Sequence, residues 1–493
     1  MQETLEQLIR YALDHQMIDP EETDYCANKL IAMFGEPVFH HQDVQDAGLP
    51  EIMDQLLDEA VRRGLIQDTV TERDLLDAKI MDIVIPRPGE VNRRFTELYA
   101  KDPQAATDWF YDLSIRSNYI HKDRTDKNIK FERPTPYGPM QITINLSKPE
   151  KDPREIAAAR TQKSTGYPAC LLCKENVGFA GHASHPARQN LRIIPLNLGG
   201  DKYYMQYSPY IYYNEHCIIF NEQHVPMRVD HGTFEHLADF TDLFEHYTLG
   251  SNTDIPIVGG SILTHDHYQG GRHHFPIEDA TVRHHTEIDG IFVDLLNWPL
   301  TTLRLRTSHR EALIVLADRI LADWIAWEDP ENDIIRETGG ERHNAITPIL
   351  RKKDGVYELD LVLRNNRTTE EYPMGIFHPH AEHHHVKKEN IGLIEVMGLA
   401  ILPARLKDEM KLIENVLAGN MAVEDDERLA KHARWIGQLQ EQWTGTTDMD
   451  DFLQQALTDK FVCVLEDAGV YKMDEKGLQG ALRFLEQVKH DND

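Results

Sequence analysis

The stretch Gly259-Gly-Ser-Ile-Leu-Thr-His265-Asp-His267-Tyr-Gln269-Gly-Gly271 decides how this chain is interpreted. In an extended segment alternate residues share a face, so His265, His267 and Gln269 are expected to point the same way. Glycine pairs bracket the segment and leave room for a ligand's phosphates to approach the backbone closely. The pattern therefore predicts a strand that presents two imidazoles and a carboxamide to a phosphate-bearing ligand.

A histidine followed two residues later by a glutamine suits nucleotidyl transfer. Imidazole titrates near pH ~6.5, so at neutral pH most of it is a free-base nucleophile. It can attack the α-phosphorus of a nucleoside diphosphate and hold the nucleotidyl group, which splits one transfer into two displacements. A departing sugar phosphate is already a stable anion, so Gln269 needs only to donate hydrogen bonds to the phosphoryl oxygens. A third histidine at that position would favour hydrolysis instead.

The charge balance excludes some classes of partner. The 493 residues contain 82 acidic and 52 basic side chains, a formal net charge of −30. Such a field repels polyanions, so we expect neither nucleic acid nor an anionic membrane surface as a partner. Between residues 116 and 133 the local charge is instead positive. That run is either a solvated face or a phosphate-binding edge, because guanidinium groups match phosphate geometry.

The composition indicates a globular protein of the reducing cytoplasm. Apolar residues make up 41% of the chain and charged residues 27%, which is ordinary for folded domains. The longest apolar stretches fall far short of a membrane span, and the acidic N-terminus lacks the features of a signal peptide. Five cysteines in a chain of this length do not make a disulfide scaffold. We therefore predict a cytoplasmic location and no membrane association.

The order of secondary-structure signals predicts an α+β fold. Helical patterns dominate the first part of the chain, strand patterns the middle, and helices return in the last 90 residues. A capping box at Ser308 and Glu311 predicts a helix from Ser308 to Trp327, and Asp354-Gly355 predicts a hairpin turn. We divide the chain into a helical N-terminal extension, a catalytic half, a second half and a helical C-terminal segment. These predicted segments are 1–115, 116–300, 301–420 and 421–493.

The motif and its flanks resemble a known family. His-x-His-x-Gln at 265–269, Arg116-Ser-Asn-Tyr-Ile120 and the histidine-rich stretch Phe377–His385 are similar to features of the galactose-1-phosphate uridylyltransferases. The helical extension fits the bacterial second class of that family, a branch of the histidine-triad superfamily. The resemblance covers most of the chain from about residue 110 to 420 and implies histidine-triad-like antiparallel sheets in two similar halves.

The resemblance also implies roles for individual residues. His267 would be the nucleophile that becomes uridylylated, and Gln269 would hydrogen-bond to the intermediate. A serine before the first histidine contacts phosphate in relatives, and Ser261 and Thr264 compete for that role here. The basic residues that open the second segment would orient the sugar phosphate. The predicted substrate-binding residues are Arg116, Asn118, Arg124, Lys127, Gly260, Ser261, Thr264 and Arg272.

Metal sites follow from the resemblance and not from spacing alone. A single CxxC is weak support for zinc, because a zinc site needs four ligands. The resemblance implies structural zinc on Cys170, Cys173, His224 and His265, although two thiols in a reducing compartment need no metal. The cluster His378–His385 is open between a second metal site and a phosphate contact. The chemistry itself requires no cofactor.

The function implied is the exchange of UMP between UDP-glucose and galactose 1-phosphate by a ping-pong mechanism, and family members are commonly homodimers. One alternative is a related histidine-triad nucleotide phosphorylase or hydrolase. Another is a non-catalytic, zinc-braced nucleotide-binding protein. Spacing alone argues only for nucleotidyl transfer through histidine, and the substrates come from the resemblance.

Overall fold

The computed structural model describes residues 1–147, 166–260 and 262–490, which fold into two compact units. Unit 1 comprises Met1–Lys127, Ser147–Ile211 and Glu215–Val225. Unit 2 comprises Asn128–Leu146, Tyr212–Asn214 and Pro226–Asp493. The division into four segments stays a prediction, and the predicted substrate contact Ser261 lies outside the described residues.

The helices and strands are numbered here in chain order over the described residues. The helices are α1 Gln2–Asp14, α2 Thr23–Phe34, α3 Leu49–Arg62, α4 Val70–Met81, α5 Pro88–Tyr99, α6 Pro103–Arg116, α7 Lys122–Thr125, α8 His231–Leu243, α9 Arg310–Ala326, α10 Leu393–Val396, α11 Arg405–Leu417, α12 Ala433–Gln442, α13 Met449–Ala468 and α14 Glu475–His490. The strands are β1 Ile129–Arg133, β2 Met140–Asn145, β3 Ile194–Leu198, β4 Asp201–Tyr207, β5 Cys217–Asn221, β6 Thr248–Gly250, β7 His267–Gly271, β8 Val282–Ile288, β9 Ile291–Leu296, β10 Thr302–Thr307, β11 Glu337–Thr338, β12 Glu341–Arg342, β13 Asn344–Lys353, β14 Val356–Asn365 and β15 Leu399–Pro403. Over these ranges, none of the helices combines the length and the apolar character that a membrane crossing requires.

Unit 1 joins the predicted N-terminal helices to three strands. Helices α1 to α7 pack with β3, β4 and β5, which pair antiparallel in that order. Buried hydrogen bonds tie the two parts together. The Tyr207 hydroxyl donates to the carbonyl of Thr107 at 3.0 Å, and Arg192 Nε donates to the carbonyl of Pro86 at 2.8 Å. The helical extension therefore shares one folded body with the strands that follow it.

Local sequence rules explain the boundaries of these elements. The β3–β4 hairpin turns through Gly199 and Gly200, which both have positive φ, as the tight hairpin turn requires. Helix α6 begins at Pro103, because the Asp102 carboxylate accepts a hydrogen bond from the backbone N–H of Gln104 and proline suits the first helical position.

Unit 2 contains a long antiparallel run of strands. Within it the strand order is β7-β6-β13-β14-β10-β9-β8. The predicted hairpin is confirmed as β13 and β14, which turn through Asp354 and Gly355, both at positive φ. Together with the helices, these sheets confirm the α+β fold class.

A second sheet and several helices complete unit 2. Strand β2 pairs antiparallel with β1 and parallel with β15. The core behind it includes Trp298, which is fully buried and donates from Nε1 to the carbonyl of Val396 at 2.9 Å. The capping box predicted at Ser308 is wrong. Helix α9 begins two residues later, because the Thr307 hydroxyl instead accepts the backbone N–H of His309.

Candidate active site

The histidine motif lies at the start of a short, buried strand of unit 2. Strand β7 pairs antiparallel with β6, so that Gln269 is opposite Gly250 and Gly270 is opposite Leu249. The sequence predicts an extended segment from His265 onward, but the strand begins only at His267. The chain turns immediately before it, so His265 is not part of the ladder. Within the strand, His267 and Gln269 are two residues apart and share a face.

The backbone fixes the orientation of the His267 ring. Its Nδ1 lies 2.8 Å from the carbonyl oxygen of His265, and only 5% of the residue is exposed. A carbonyl oxygen can only accept, so Nδ1 carries the proton and donates. Burial lowers the pKa of this imidazole to about 4, although the hydrogen bond to the carbonyl of His265 partly opposes the shift, so the ring is neutral at pH 7. The lone pair of the ring is therefore on Nε2.

Glycine is required beside the motif for steric reasons. A Cβ added at Gly270 would lie 2.3 Å from the carbonyl oxygen of Thr248 on the paired strand. The carbonyl of Gly270 also accepts a 3.1 Å hydrogen bond from the hydroxyl of Tyr213. The sequence gives no signal for this role of Tyr213, because its contact depends on tertiary packing.

A buried pair lies behind the strand. Tyr268 points to the opposite face from His267, is 1% exposed, and its hydroxyl lies 2.8 Å from Nδ1 of His236 on α8. This hydrogen bond holds the back of β7 against the helix. Alternation along the motif predicts the direction of Tyr268, but nothing in the sequence identifies His236 as its partner.

The loop that precedes the motif is held by one asparagine that sequence reasoning missed. Asn252 is 4% exposed, and its Oδ1 accepts the backbone N–H of Leu393 at 2.9 Å. A Cβ at Gly260 would lie 2.8 Å from Nδ2 of the same side chain, so this glycine allows a close approach. Thr264 is exposed on the turn before the strand. Arg272 follows the strand, and its carbonyl accepts from the Asn214 amide at 3.0 Å.

The other predicted substrate residues lie in unit 1, whereas His267 belongs to unit 2. Arg116 forms an ion pair with Asp112 at 2.7 Å, and Lys127 is exposed. Arg124 makes a two-pronged contact with Asp74, at 2.6 and 3.2 Å. Asn118 is buried and also lines a cavity of about 600 Å³ that Arg124 borders. Their part in substrate binding stays a prediction.

Three predicted zinc ligands converge in unit 1. The Sγ atoms of Cys170 and Cys173 are 3.6 Å apart, and Cys173 Sγ lies 3.2 Å from Nδ1 of His224. Tetrahedral zinc with Zn–S bonds of about 2.3 Å holds its ligand atoms at comparable separations. Two sulfurs and an imidazole nitrogen thus fit a structural zinc ion. The fourth predicted ligand, His265, is fully buried and belongs to unit 2, and its part in the site stays a prediction.

The histidines of the 378–385 stretch contact several different groups, and His380 and His383 share one, the carboxylate of Asp467. His378 Nε2 lies 3.3 Å from Asn390 Oδ1, and His384 Nε2 lies 2.8 Å from the carbonyl of Pro379. His380 pairs with Asp467 at 3.2 Å. Over the part of the chain that the structure describes, these rings do not converge into a group suited to a metal ion.

Comparison with known proteins identifies the class of this chain. The N-terminal domain model of galactose-1-phosphate uridyl transferase matches residues 16–226, and the C-terminal domain model matches residues 240–432. The galactose-1-phosphate uridylyltransferase of Clostridium acetobutylicum is 50% identical over 98% of both chains. That of Caldanaerobacter subterraneus is 48% identical over 98% of this chain and 97% of its own.

These matches define an enzyme that transfers a nucleotidyl group, which sets aside the non-catalytic alternative. The chain belongs to the galactose-1-phosphate uridyl transferase family. Among solved structures, yeast Ap4A phosphorylase Apa2 is 14% identical, with a TM-score of 0.32, and the match covers 58% of this chain and 82% of that one. A TM-score that low supports no inference about fold or activity.

Proposed function

We propose that this enzyme transfers UMP from UDP-glucose to galactose 1-phosphate through a covalent uridylyl group on His267. The proposal builds on membership of the family and on one observation, the 2.8 Å hydrogen bond from His267 Nδ1 to the carbonyl of His265. That bond leaves the Nε2 lone pair as the nucleophile. The other neutral tautomer, which is protonated on Nε2, would have no lone pair there and could not attack phosphorus.

The reaction consists of two displacements. Nε2 of His267 attacks the α-phosphorus of UDP-glucose, a P–N bond forms, and the bond to the bridging oxygen breaks, so glucose 1-phosphate leaves with the electron pair. A phosphate oxygen of galactose 1-phosphate then attacks the same phosphorus and displaces the imidazole, which gives UDP-galactose. Neither leaving group needs a proton, because one is a stable anion and the other is a neutral imidazole.

Gln269 suits the role of stabilising the phosphoryl group. It shares a face with His267 and is half-buried, so its amide can donate to the phosphoryl oxygens without adding charge. The tight backbone at Gly270 holds the strand that carries both side chains. In this proposal Gln269 acts on both displacements, because the same phosphorus is attacked twice.

Zinc would act as a structural ion. Cys170, Cys173 and His224 would hold it, and we propose His265 as the fourth ligand on the basis of the family resemblance. When bound, the ion would cross-link these ligands without taking part in the displacements. His265 also supplies the carbonyl that orients His267, so its placement affects the nucleophile directly. We further propose a cytoplasmic location, since the chain has only five cysteines, and a homodimer, as the family resemblance implies.

The test is to mix the protein with UDP-glucose without an acceptor and measure the intact mass. We expect one added uridylyl group and one equivalent of glucose 1-phosphate, with the modification mapped to His267. His267→Ala should gain no mass, whereas the exposed control His309→Ala should match the wild type. Gln269→Glu should slow adduct formation by about 100-fold, since it places a negative charge against the phosphoryl oxygens.

Two outcomes would overturn the mechanism. Continuous release of glucose 1-phosphate without an acceptor would indicate a hydrolase. An adduct on a residue other than His267 would remove this imidazole from the role of nucleophile.

A further inference from the structure

A second cavity, of about 430 Å³, lies in unit 2. This "His385 cavity" contains none of the residues of the 265–269 motif. Its volume is in the range of small-molecule binding sites. Its lining includes the side chains of His385, Lys431, Arg434, Trp435, Gln438 and Lys460, next to a short segment that contributes Ala381, Glu382 and His384.

A buried chain of hydrogen bonds leads to the wall of this cavity. Nε2 of His432 lies 2.9 Å from a carboxylate oxygen of Glu409, and Nδ1 of His432 lies 2.8 Å from Nδ1 of His385. His432 is fully buried, and Glu409 is 3% exposed. These contacts connect a carboxylate in the interior to an imidazole that lines the cavity.

The carboxylate determines the tautomer of both rings. Burial lowers the pKa of His385 to about 3 and also lowers the pKa of His432, so both rings are neutral. Glu409 can only accept, so His432 donates from Nε2 and must accept at Nδ1. His385 then donates from its own Nδ1, which leaves a lone pair on its Nε2. Over the described residues that nitrogen has no partner in the protein, and it is not sealed from solvent.

The cavity is locally basic in a chain of net charge −30. Lys431 and Arg405 pair with Glu409, at 2.5 and 2.6 Å, and thereby compensate its charge. By contrast, Arg434 and Lys460 have no carboxylate partner within the described ranges, although both line the cavity. The acidic residue at the cavity is Glu382, whose side chain is 62% exposed. Two uncompensated cations therefore face the same space as the His385 acceptor.

We propose that the His385 cavity binds a sugar monophosphate, with its phosphate on Arg434 and Lys460 and a hydroxyl donating to Nε2 of His385. Trp435 is 5% exposed, and its ring centroid lies 5.2 Å from that of His385, so an apolar wall adjoins the acceptor. Inorganic phosphate alone would leave Nε2 of His385 without a hydrogen-bond donor. A neutral sugar would leave Arg434 and Lys460 without an anion. A metal ion does not fit, because over the described residues His385 does not converge with other metal-ligating side chains into a group suited to one.

The test uses glucose 6-phosphate, glucose and inorganic phosphate as probes of the intact protein. Binding is measured by quenching of tryptophan fluorescence, with Trp435→Phe as the background. Glucose 6-phosphate has no phosphate on C1, so it does not take the place of the proposed acceptor in the transfer reaction. We expect it to bind about tenfold more tightly than either simpler probe, since it alone uses both parts of the site.

Matched variants separate the site from general charge effects. Arg434→Gln with Lys460→Gln should weaken glucose 6-phosphate binding by about tenfold or more. Lys407→Gln with Lys411→Gln removes the same charge from the exposed side of α11 and should leave binding within about twofold. His385→Phe should bring the affinity for glucose 6-phosphate close to that for phosphate. Circular dichroism checks that each variant is folded.

Three results would overturn the proposal. The first is equal affinity for all three probes. The second is an equal loss of glucose 6-phosphate affinity in the two double variants. The third is fluorescence quenching that persists in Trp435→Phe. None of them bears on whether His267 forms an adduct, so this proposal and the proposed function fail separately.

Discussion

The side-chain amide of Asn118 donates a 2.7 Å hydrogen bond to Oδ2 of Asp77, a carboxyl group that is only 4% exposed. Burial raises the pKa of Asp77 to about 8, although Asn118 partly opposes the shift. The folded state therefore holds a proton that the unfolded chain releases near pH ~4. The stability that this bound proton provides is complete below that pH. It is lost as the pH rises toward 8, and the free energy of unfolding falls by up to about 1.4 kcal/mol per pH unit.

Asp77→Asn should remove this pH dependence, because asparagine resembles the protonated carboxyl and still accepts from Asn118. We expect the variant to have a higher melting temperature than the wild type at pH 8 and a flatter profile between pH 5 and 8. Asp46→Asn, a surface substitution of the same type, serves as the control. An Asp77→Asn profile parallel to that of the wild type would contradict the assignment.

A second prediction concerns a buried ion-pair network in unit 2. Asp360 is fully buried and accepts from Arg304 at 2.6 and 2.9 Å and from Arg351 at 3.0 Å. Asp360→Leu would leave two buried guanidinium groups without their shared carboxylate. Such a change costs about 3–5 kcal/mol of unfolding free energy, measured by denaturant titration. Lys411→Gln on the surface of α11 should leave the denaturation midpoint unchanged, and a loss below about 1 kcal/mol for Asp360→Leu would contradict the prediction.

The third prediction compares two glycines. Gly270→Ala would place a methyl group 2.3 Å from the carbonyl of Thr248, so β6 and β7 must separate, and nucleotidyl transfer should fall sharply. Gly437 lies inside helix α12 with open space around its Cβ position, and Gly437→Ala should stabilise the protein by about 0.5–1 kcal/mol. Melting curves and transfer rates of both variants check the pair. Normal activity in Gly270→Ala would show that the strand tolerates the displacement.

The fourth prediction concerns zinc. Protein purified without chelators should contain about one zinc per chain by elemental analysis, and either Cys170→Ser or Cys173→Ser should lose it. Cys463→Ser, on helix α13, should retain the metal. A zinc content that is the same in all of these proteins would exclude the cysteine pair as ligands. This readout does not depend on activity.

Several features of the fold could be predicted from local sequence. The turns at Gly199-Gly200 and Asp354-Gly355 and the cap at Asp102 are determined by residues that are adjacent in the chain. The start of α9 at Arg310 differs from the predicted start at Ser308 for a related reason. Ser308 has the right chemistry for a cap, but the hydroxyl one residue earlier made the hydrogen bond instead.

The site could be predicted only in part. Spacing indicates that His267 and Gln269 share a face, but the ring orientation depends on the backbone conformation at His265. Asn252 and His236 could not be found, because their partners, Leu393 and Tyr268, are distant in sequence. The hydrogen bonds that link Glu409 through His432 to His385 could not be predicted from the sequence for the same reason.

The position of β6 has a consequence for biosynthesis. This three-residue strand pairs with β7 on one side and with β13 on the other, at Leu249 opposite Leu350. A nascent polypeptide that has left the ribosome only through β7 has no β13 to cover the far edge of β6. The strand that carries the proposed nucleophile is thus synthesised well before β13, and a stalled or truncated product would expose an unpaired strand edge that is prone to aggregation.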